Sequence, residues 1–159
     1  MKKLFVLGAG VLLFAFAACN KKDNGPDYDP NAQYDIDSAK IVAYIQANNI
    51  QNVQHDSRGL FYQIVKPGGE QKPNGVASVK VGYTGTLLDK SKFDGKDTAY
   101  FDLNKVITGW TVGIPKIGKD GEINLFVPSI YGYGPYANGP IPPNSVLVFN
   151  VKLYDFVNK

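Results

Sequence analysis

From Leu60 onward, apolar and polar residues alternate with a period of two in several short runs. Such alternation predicts half-buried β-strands. The runs are bounded by Gly and Pro clusters such as Pro67-Gly68-Gly69, which favours an antiparallel sheet. Strands are therefore predicted at Leu60–Val65, Val79–Tyr83, Tyr100–Leu103, Glu122–Val127 and Val146–Phe156.

Two segments depart from this alternation. Before the first strand, apolar residues recur at helical spacing, which predicts a helix over Asp35–Asn49 with Asp37 or Ser38 as its cap. Its apolar face consists of Ile41, Val42 and Ile45. We expect this helix to pack on the domain or to mediate self-association. Residues 109–115 are too long for a hairpin turn and are expected to hold a short helix that carries Trp110.

The amino terminus predicts export and lipid attachment. Lys2 and Lys3 precede the uncharged apolar run Leu4–Ala18, which is shorter than a membrane span and fits a signal peptide over 1–18. Small residues then precede Cys19, an arrangement that resembles a bacterial lipoprotein signal. In the alternative, an ordinary secretory signal, Cys19 is incidental. The polar residues of 19–34 are expected to form a flexible tether.

Composition narrows the candidate functions of this 159-residue chain. With 44% hydrophobic and 19% charged residues, the chain can bury a core. The net charge of +3 includes Lys2 and Lys3 of the signal, so the chain lacks the basic surplus of a nucleic-acid binder. One Cys and one His argue against a disulfide, a Ser-His-Asp triad and a His-based metal centre. We expect neither a metal nor a cofactor.

Aromatic residues dominate the segment between 83 and 149. Most aromatics belong to cores, but several here adjoin Gly or Pro in predicted loops, where they can line an apolar pocket. Taken alone, the residues indicate a small β-rich domain that could hold an aromatic pocket. The loop-borne aromatics are Phe93, Trp110 and Tyr133.

The order of short motifs resembles the FKBP-type (tacrolimus-binding) peptidyl-prolyl cis/trans isomerases. The resemblance extends from about Gly59 to the end of the chain, which makes 59–159 the predicted isomerase domain and 35–58 a helix and connector. The motifs are Val81-Gly82-Tyr83-Thr84-Gly85, Lys92-Phe93-Asp94, Val106-Ile107-Thr108-Gly109-Trp110, Val127-Pro128-Ser129, Tyr133-Gly134 and Ile141-Pro142-Pro143 through Phe149.

The resemblance implies an α+β fold, a half-wrapped antiparallel β-sheet around one short helix, with an extra N-terminal helix. It also implies a pocket with Trp110 as its floor, the Ile107 N–H and the Tyr133 phenol as donors, and Asp94 as its carboxylate. Lys96 is the nearest basic partner for Asp94. The implied catalytic residues are Tyr83, Phe93, Asp94, Trp110, Tyr133 and Phe149, and the implied substrate-binding residues are Val106, Ile107 and Ile141.

The resemblance further implies rotation about X–Pro bonds in unfolded or flexible polypeptides outside the cytoplasm. The expected location is the cell envelope, with an outer-membrane anchor through lipidated Cys19. Tacrolimus-like ligands are expected to bind, and the sequence leaves the oligomeric state open. Two alternatives remain: a non-catalytic chaperone that binds proline-containing peptides, and a surface-interaction lipoprotein that acts through the Asp35–Asn49 helix.

Overall fold

The computed structural model describes residues 28–159, so the predicted signal peptide, Cys19 and most of the predicted tether lie outside the described residues. Two helices, α1 (Pro30–Ala47) and α2 (Thr108–Gly113), accompany one sheet. The strands are β1 (Gln54–His55), β2 (Phe61–Lys66), β3 (Ser78–Thr86), β4 (Lys92–Asp102), β5 (Gly121–Val127) and β6 (Leu147–Val157).

The six strands form one antiparallel sheet in the order β1-β2-β5-β6-β3-β4. The carboxyl-terminal strand β6 therefore lies at the centre, between β5 and β3. Phe149, near the start of β6, lies opposite Leu125 on one side and Gly85 on the other. The predicted α+β architecture, with an antiparallel sheet, a short helix and an N-terminal helix, is confirmed.

The alternation of side chains along β5 and β6 gives the sheet two covered faces. Leu125 and Phe149 belong to the main core beneath α2, whereas Phe126 and Val148 point to the other side. There they pack with Ile41 of α1. The two helices therefore cover opposite faces of the sheet, as period-two strands require when both faces are apolar.

Glycine lets α2 lie against β5. A Cβ atom on Gly109 would lie 2.5 Å from a methyl carbon of Val127, and one on Gly113 would lie 2.5 Å from a methyl carbon of Leu125. These glycines are four residues apart and so share one helix face. Any side chain there would push α2, and Trp110 with it, away from the sheet.

Helix α1 begins five residues before the predicted start. The Asp29 carboxylate accepts hydrogen bonds from the Asn31 and Ala32 N–H groups, and Pro30 occupies the first helical position. This Asp-Pro start is a strong helix signal. The prediction of Asp37 or Ser38 as the cap was therefore wrong, and residues 30–34, predicted as tether, are helical.

The apolar face and the end of α1 are close to the prediction. Ile41 is fully buried, but Val42 is 42% exposed and lies off the buried face. The helix ends at Ala47, where Asn48 caps it by donating its side-chain amide to the Tyr44 carbonyl. Within the described residues, neither helix is long and apolar enough to cross a membrane.

The sheet contains strand segments that the sequence pattern did not predict. Strand β4 starts at Lys92 instead of Tyr100, because its first half carries charged and polar side chains that give no alternation. Strand β1 has only two residues, both exposed. Both strands lie at sheet edges, where exposure removes the hydrophobic signal.

Candidate active site

A cavity of about 280 Å³ opens between α2 and the sheet. Its floor is Trp110, which is 4% exposed. This volume lies at the small end of ligand pockets, so the site suits one ring and its immediate neighbours. The lining residues are Tyr83, Phe93, Asp94, Phe101, Lys105, Val106, Ile107, Trp110, Tyr133 and Phe149.

Three aromatic rings stand edge-on to the Trp110 indole. The ring centroids of Tyr83, Phe101 and Phe149 lie 5.0, 5.3 and 5.4 Å from it, at interplanar angles of 80–87°. Phe93 extends the wall by packing at 89° against Phe149. Edge-to-face pairs at these distances are attractive beyond the area they bury. The rings therefore brace one another and form a rigid apolar cage.

The strands supply these rings from matched positions. Gly85 of β3 lies opposite Phe149 of β6 and opposite Asp94 of β4, next to Phe93. A Cβ atom on Gly85 would lie 2.7 Å from the Phe93 ring and 2.9 Å from the Phe149 ring. The absence of a side chain at Gly85 thus makes room for both rings to meet.

Asp94 is held by hydrogen bonds at the edge of the cavity. One carboxylate oxygen accepts from the Tyr83 phenol at 2.6 Å, and the other accepts from the Gly95 N–H at 2.7 Å. Burial, followed by the hydrogen bond to Asp94 and its negative charge, raises the pKa of Tyr83 well above its usual range. The Tyr83 phenol therefore stays a donor to Asp94 at neutral pH.

Lys96 does not pair with Asp94. In the part of the chain that the structure describes, none of the ion pairs includes the Asp94 carboxylate. The Tyr83 phenol and the Gly95 backbone orient this carboxylate in place of a cation. The charge at the cavity mouth is therefore not neutralised by a fixed partner.

Tyr133 reaches the cavity from a tight turn that follows β5. A 3-10 turn spans Ser129–Tyr131, and the Ser129 carbonyl accepts the N–H groups of both Gly132 and Gly134. Gly134 has a φ of +61°, a conformation that glycine adopts without strain. This geometry presents Tyr133, which is 37% exposed, at the cavity mouth.

A second donor lies at the start of α2. The Ile107 carbonyl accepts the N–H groups of Trp110 and Thr111, whereas none of the hydrogen bonds formed by residues 28–159 uses the Ile107 N–H. The first N–H groups of a helix lack partners inside the helix. Ile107 also lines the cavity. Its N–H is therefore free to donate to an acceptor on a bound molecule.

Eight of the nine predicted pocket residues line the cavity. The ninth, Ile141, is 4% exposed and belongs to the same core cluster as Trp110 and Phe149. Phe101 and Lys105 line the cavity but were not predicted. Phe101 lies within the predicted strand Tyr100–Leu103, where alternation places it on the opposite face from Tyr100, which is 72% exposed.

Comparisons with known proteins agree with this geometry. A family model described as FKBP-type peptidyl-prolyl cis-trans isomerase matches residues 69–154. The chain is 43% identical over 115 residues to the "FKBP-type peptidyl-prolyl cis-trans isomerase FkpA" of Aeromonas hydrophila, a match covering 69% of this chain and 43% of that protein. It is 34% identical over 129 residues to the "Outer membrane protein MIP" of Legionella longbeachae, covering 77% of this chain and 55% of that protein.

A solved structure agrees as well. The crystal structure of FkpA from Escherichia coli superposes with a TM-score of 0.68 at 36% sequence identity, covering 79% of this chain and 63% of that chain. The chain thus spans about half the length, or somewhat less, of the curated relatives it matches. The residues matched by the family model include β3, β4, β5, α2 and every residue that lines the cavity.

Proposed function

Because this chain belongs to the family of FKBP-type peptidyl-prolyl cis-trans isomerases, we propose that it catalyses rotation about X–Pro peptide bonds. The observation that carries the proposal is the Trp110-floored cage, whose size and apolar walls suit a prolyl ring. Uncatalysed rotation takes tens to hundreds of seconds, slow enough to limit folding. Acceleration of this step is therefore useful to proteins that fold outside the cytoplasm.

The proposed mechanism uses the cage to favour the twisted amide. The barrier of about 18–20 kcal/mol is the resonance of the planar peptide bond. A planar amide has more charge separation than a twisted one, so transfer from water into an apolar cage disfavours the planar state more. The prolyl ring would lie on Trp110, enclosed by the rings of Tyr83, Phe101 and Phe149.

Two donors would hold the substrate while the bond turns. In this proposal, the Ile107 N–H and the Tyr133 phenol bind carbonyl groups of the substrate on the two sides of the ring. Asp94 keeps the Tyr83 ring in place through the 2.6 Å hydrogen bond. Fixing one part of the chain as the rest rotates lowers the entropy cost of reaching the transition state. Val106 would complete the wall beside Ile107.

The test is an isomerisation assay without a coupled protease, with the full chain in mild detergent and short X–Pro peptides. Tyr133→Phe should lower kcat/KM by about threefold to tenfold, which corresponds to one lost hydrogen bond. Tyr136→Phe is the matched control, because Tyr136 is 75% exposed and does not line the cavity. If the folded wild type binds peptide without accelerating exchange, the protein is a peptide-binding chaperone instead.

We also propose a location in the cell envelope, with a lipid anchor on Cys19. The position of the sole Cys, directly after an apolar run and small residues, supports the anchor. The relative named as an outer membrane protein supports the envelope location. In bacteria fed an alkyne-tagged fatty acid, the chain should become labelled and fractionate with membranes, and Cys19→Ser should abolish both. Unchanged labelling of Cys19→Ser would contradict the anchor.

The same cavity is the proposed site for tacrolimus-like ligands and for proline-containing segments of unfolded or flexible proteins. A ligand that fills it should compete with X–Pro peptides for Trp110. Competition measured in the isomerisation assay tests this, and inhibition that leaves peptide binding unchanged would place the ligand elsewhere.

A further inference from the structure

Asp37 is a buried carboxylate that the proposed pocket does not use. It lies in the middle of α1 and is 0% exposed. One oxygen accepts from the Gln33 side-chain amide at 2.8 Å, and the nearest cation, Lys40, stands 3.8 Å away. Burial of a charged group is costly unless hydrogen bonds compensate. The position of a carboxylate here, on a face otherwise occupied by Ile41, therefore calls for a specific partner.

That partner is the backbone of the turn that presents Tyr133. The second Asp37 oxygen accepts the Ser129 N–H at 2.8 Å in a fully buried contact. The Ser129 carbonyl in turn accepts the N–H groups of Gly132, at 2.9 Å, and Gly134, at 2.8 Å. These two residues flank Tyr133. Ser129 thus connects the Asp37 carboxylate to the residues on both sides of Tyr133.

A second contact fixes the other end of the same turn. Tyr34, on α1 one turn before Asp37, packs its ring edge-on to Tyr131 with centroids 6.5 Å apart. The Tyr131 phenol donates to the Arg58 carbonyl, and the Tyr34 phenol lies 2.8 Å from a ring nitrogen of His55. Helix α1 therefore contacts both Ser129 and Tyr131, the first and last residues of the 3-10 turn.

We infer that Asp37 is a positioning residue for isomerisation, because its hydrogen bond to Ser129 sets the place of Tyr133 at the cavity. Helix α1 is then a working part of the isomerase unit and more than a spacer. The inference rests on the proposed function for its activity readout. A shift of about 1 Å at a reacting group can cost up to about 100-fold in rate, so a small movement of the turn is enough.

The test compares substitutions at Asp37 in the full chain. Asp37→Ala removes the acceptor and should lower kcat by about threefold to tenfold, no more than the loss expected for Tyr133→Phe, with less change in KM. Asp37→Asn keeps one oxygen for the Ser129 N–H and should restore most of the activity. Ile41→Ala, on the same helix face, and Gln33→Ala, which removes the other Asp37 partner, are controls that should stay near wild type below their unfolding temperatures. Should Asp37→Ala fail to fold, Asp37→Leu fills the space without an acceptor.

A double-mutant cycle separates positioning from general stability. If Asp37 acts through Tyr133, Asp37→Ala should cause little further loss in a Tyr133→Phe background. Equal losses in both backgrounds would overturn the inference. So would an Ile41→Ala variant that loses as much activity as Asp37→Ala at equal thermal stability.

A readout independent of activity keeps this inference distinct from the proposed function. With ¹³C-labelled tyrosine, the Tyr133 ring resonance, assigned by its absence in Tyr133→Phe, should shift or broaden in Asp37→Ala and return in Asp37→Asn. An unchanged resonance in Asp37→Ala would contradict the positioning role even in an active enzyme. A changed resonance in a chain without isomerase activity would support the positioning role and contradict the proposed function alone.

Discussion

The two helices cover opposite faces of one sheet, and the two faces differ in the open volume that they leave beside the sheet. Beneath α2, the Trp110 indole N–H is buried with no hydrogen-bond partner among the described residues, beside an open cavity. Beneath α1, both Asp37 carboxylate oxygens are bonded, the Ser38 and Ser129 hydroxyl oxygens are buried without a partner among the described residues, and the surrounding side chains are apolar. A buried donor without a partner is unusual in a folded protein.

This difference separates a face built to receive a molecule from a face built to stay closed. The α2 side keeps open volume and two donors, at Ile107 and Tyr133, for a substrate. The α1 side is filled by Ile41, Phe126 and Val146, and there Asp37 accepts the Ser129 N–H. The proposed chemistry belongs to the cavity on the α2 side.

The largest expected effect comes from Trp110→Ala. Removal of a buried Trp typically costs about 3–5 kcal/mol in the free energy of unfolding. The same change removes the cage floor, so isomerase activity should fall to background even where the variant is folded. Denaturant unfolding and the isomerisation assay measure the two effects. Retention of full activity by the folded variant would contradict the cage mechanism.

Ile41→Ala should destabilise the other face without affecting the chemistry. Ile41 is fully buried between α1 and the sheet, and such truncations cost about 2–5 kcal/mol. The kcat and KM of the folded protein should stay within about twofold of wild type, since the Asp37 hydrogen bond remains. If Ile41→Ala lost activity as well as stability, as Trp110→Ala is expected to do, the proposed difference between the two faces of the sheet would be contradicted.

Gly109→Ala should have an intermediate effect, because it acts on the position of α2. The added methyl group would lie 2.5 Å from Val127, so α2 must move outward. Overpacking of this kind typically costs about 1–3 kcal/mol. Gly75→Ala is the matched control, because its Cβ atom would lie 3.7 Å from Thr111 in ordinary contact. Equal free energies of unfolding for the two variants would show that the space between α2 and β5 accommodates the added methyl group.

The smallest expected effect is the titration of Tyr83. Burial and the Asp94 hydrogen bond raise the pKa of its phenol above the usual 10.0. The folded state therefore holds this proton more tightly than the unfolded state does. The resulting stabilisation is complete below pH 10 and is lost as the pH rises through the folded-state pKa. Tyr83→Phe should thus make the protein less sensitive to alkali.

Ultraviolet absorbance of the phenolate measures this directly. The absorbance difference between wild type and Tyr83→Phe, plotted against pH, should have its midpoint at a higher pH than the absorbance change of the remaining tyrosines. A difference that titrates at the usual tyrosine value would mean that the Tyr83–Asp94 hydrogen bond is absent in solution. Asp94→Asn is a second test. It removes the negative charge beside Tyr83, so the pKa of Tyr83 should be lower in this variant than in wild type.

The sequence predicted the pocket well because its residues occur in short motifs with fixed spacing. Eight of the nine predicted positions, Trp110 among them, surround one cavity. Phe101 lies within the predicted strand Tyr100–Leu103 but outside the short motifs from which the pocket residues were assigned. Ile141 is 4% exposed and belongs to the same core cluster as Trp110 and Phe149.

The role of α1 could not be read from local pattern. Asp37 resembles a helix cap in the sequence, yet it is an interior residue whose partner, Ser129, is distant along the chain. A hydrogen bond that a backbone N–H donates to a carboxylate can come from any residue except proline, so the sequence does not reveal the donor. The earlier Asp29-Pro30 pair was the signal for the true start of the helix.

The most direct test of the central claim uses the single Trp of the chain, Trp110, as a reporter. Peptides with and without proline are titrated into the full chain, and Trp110 fluorescence is recorded together with cis/trans exchange by NMR. If catalysis takes place in the cage, only the X–Pro peptide should give a saturable change in fluorescence, and this change and the exchange rate should reach half-saturation at the same peptide concentration. Accelerated exchange without any response of Trp110 would contradict the cage mechanism, because catalysis would then take place outside the cage.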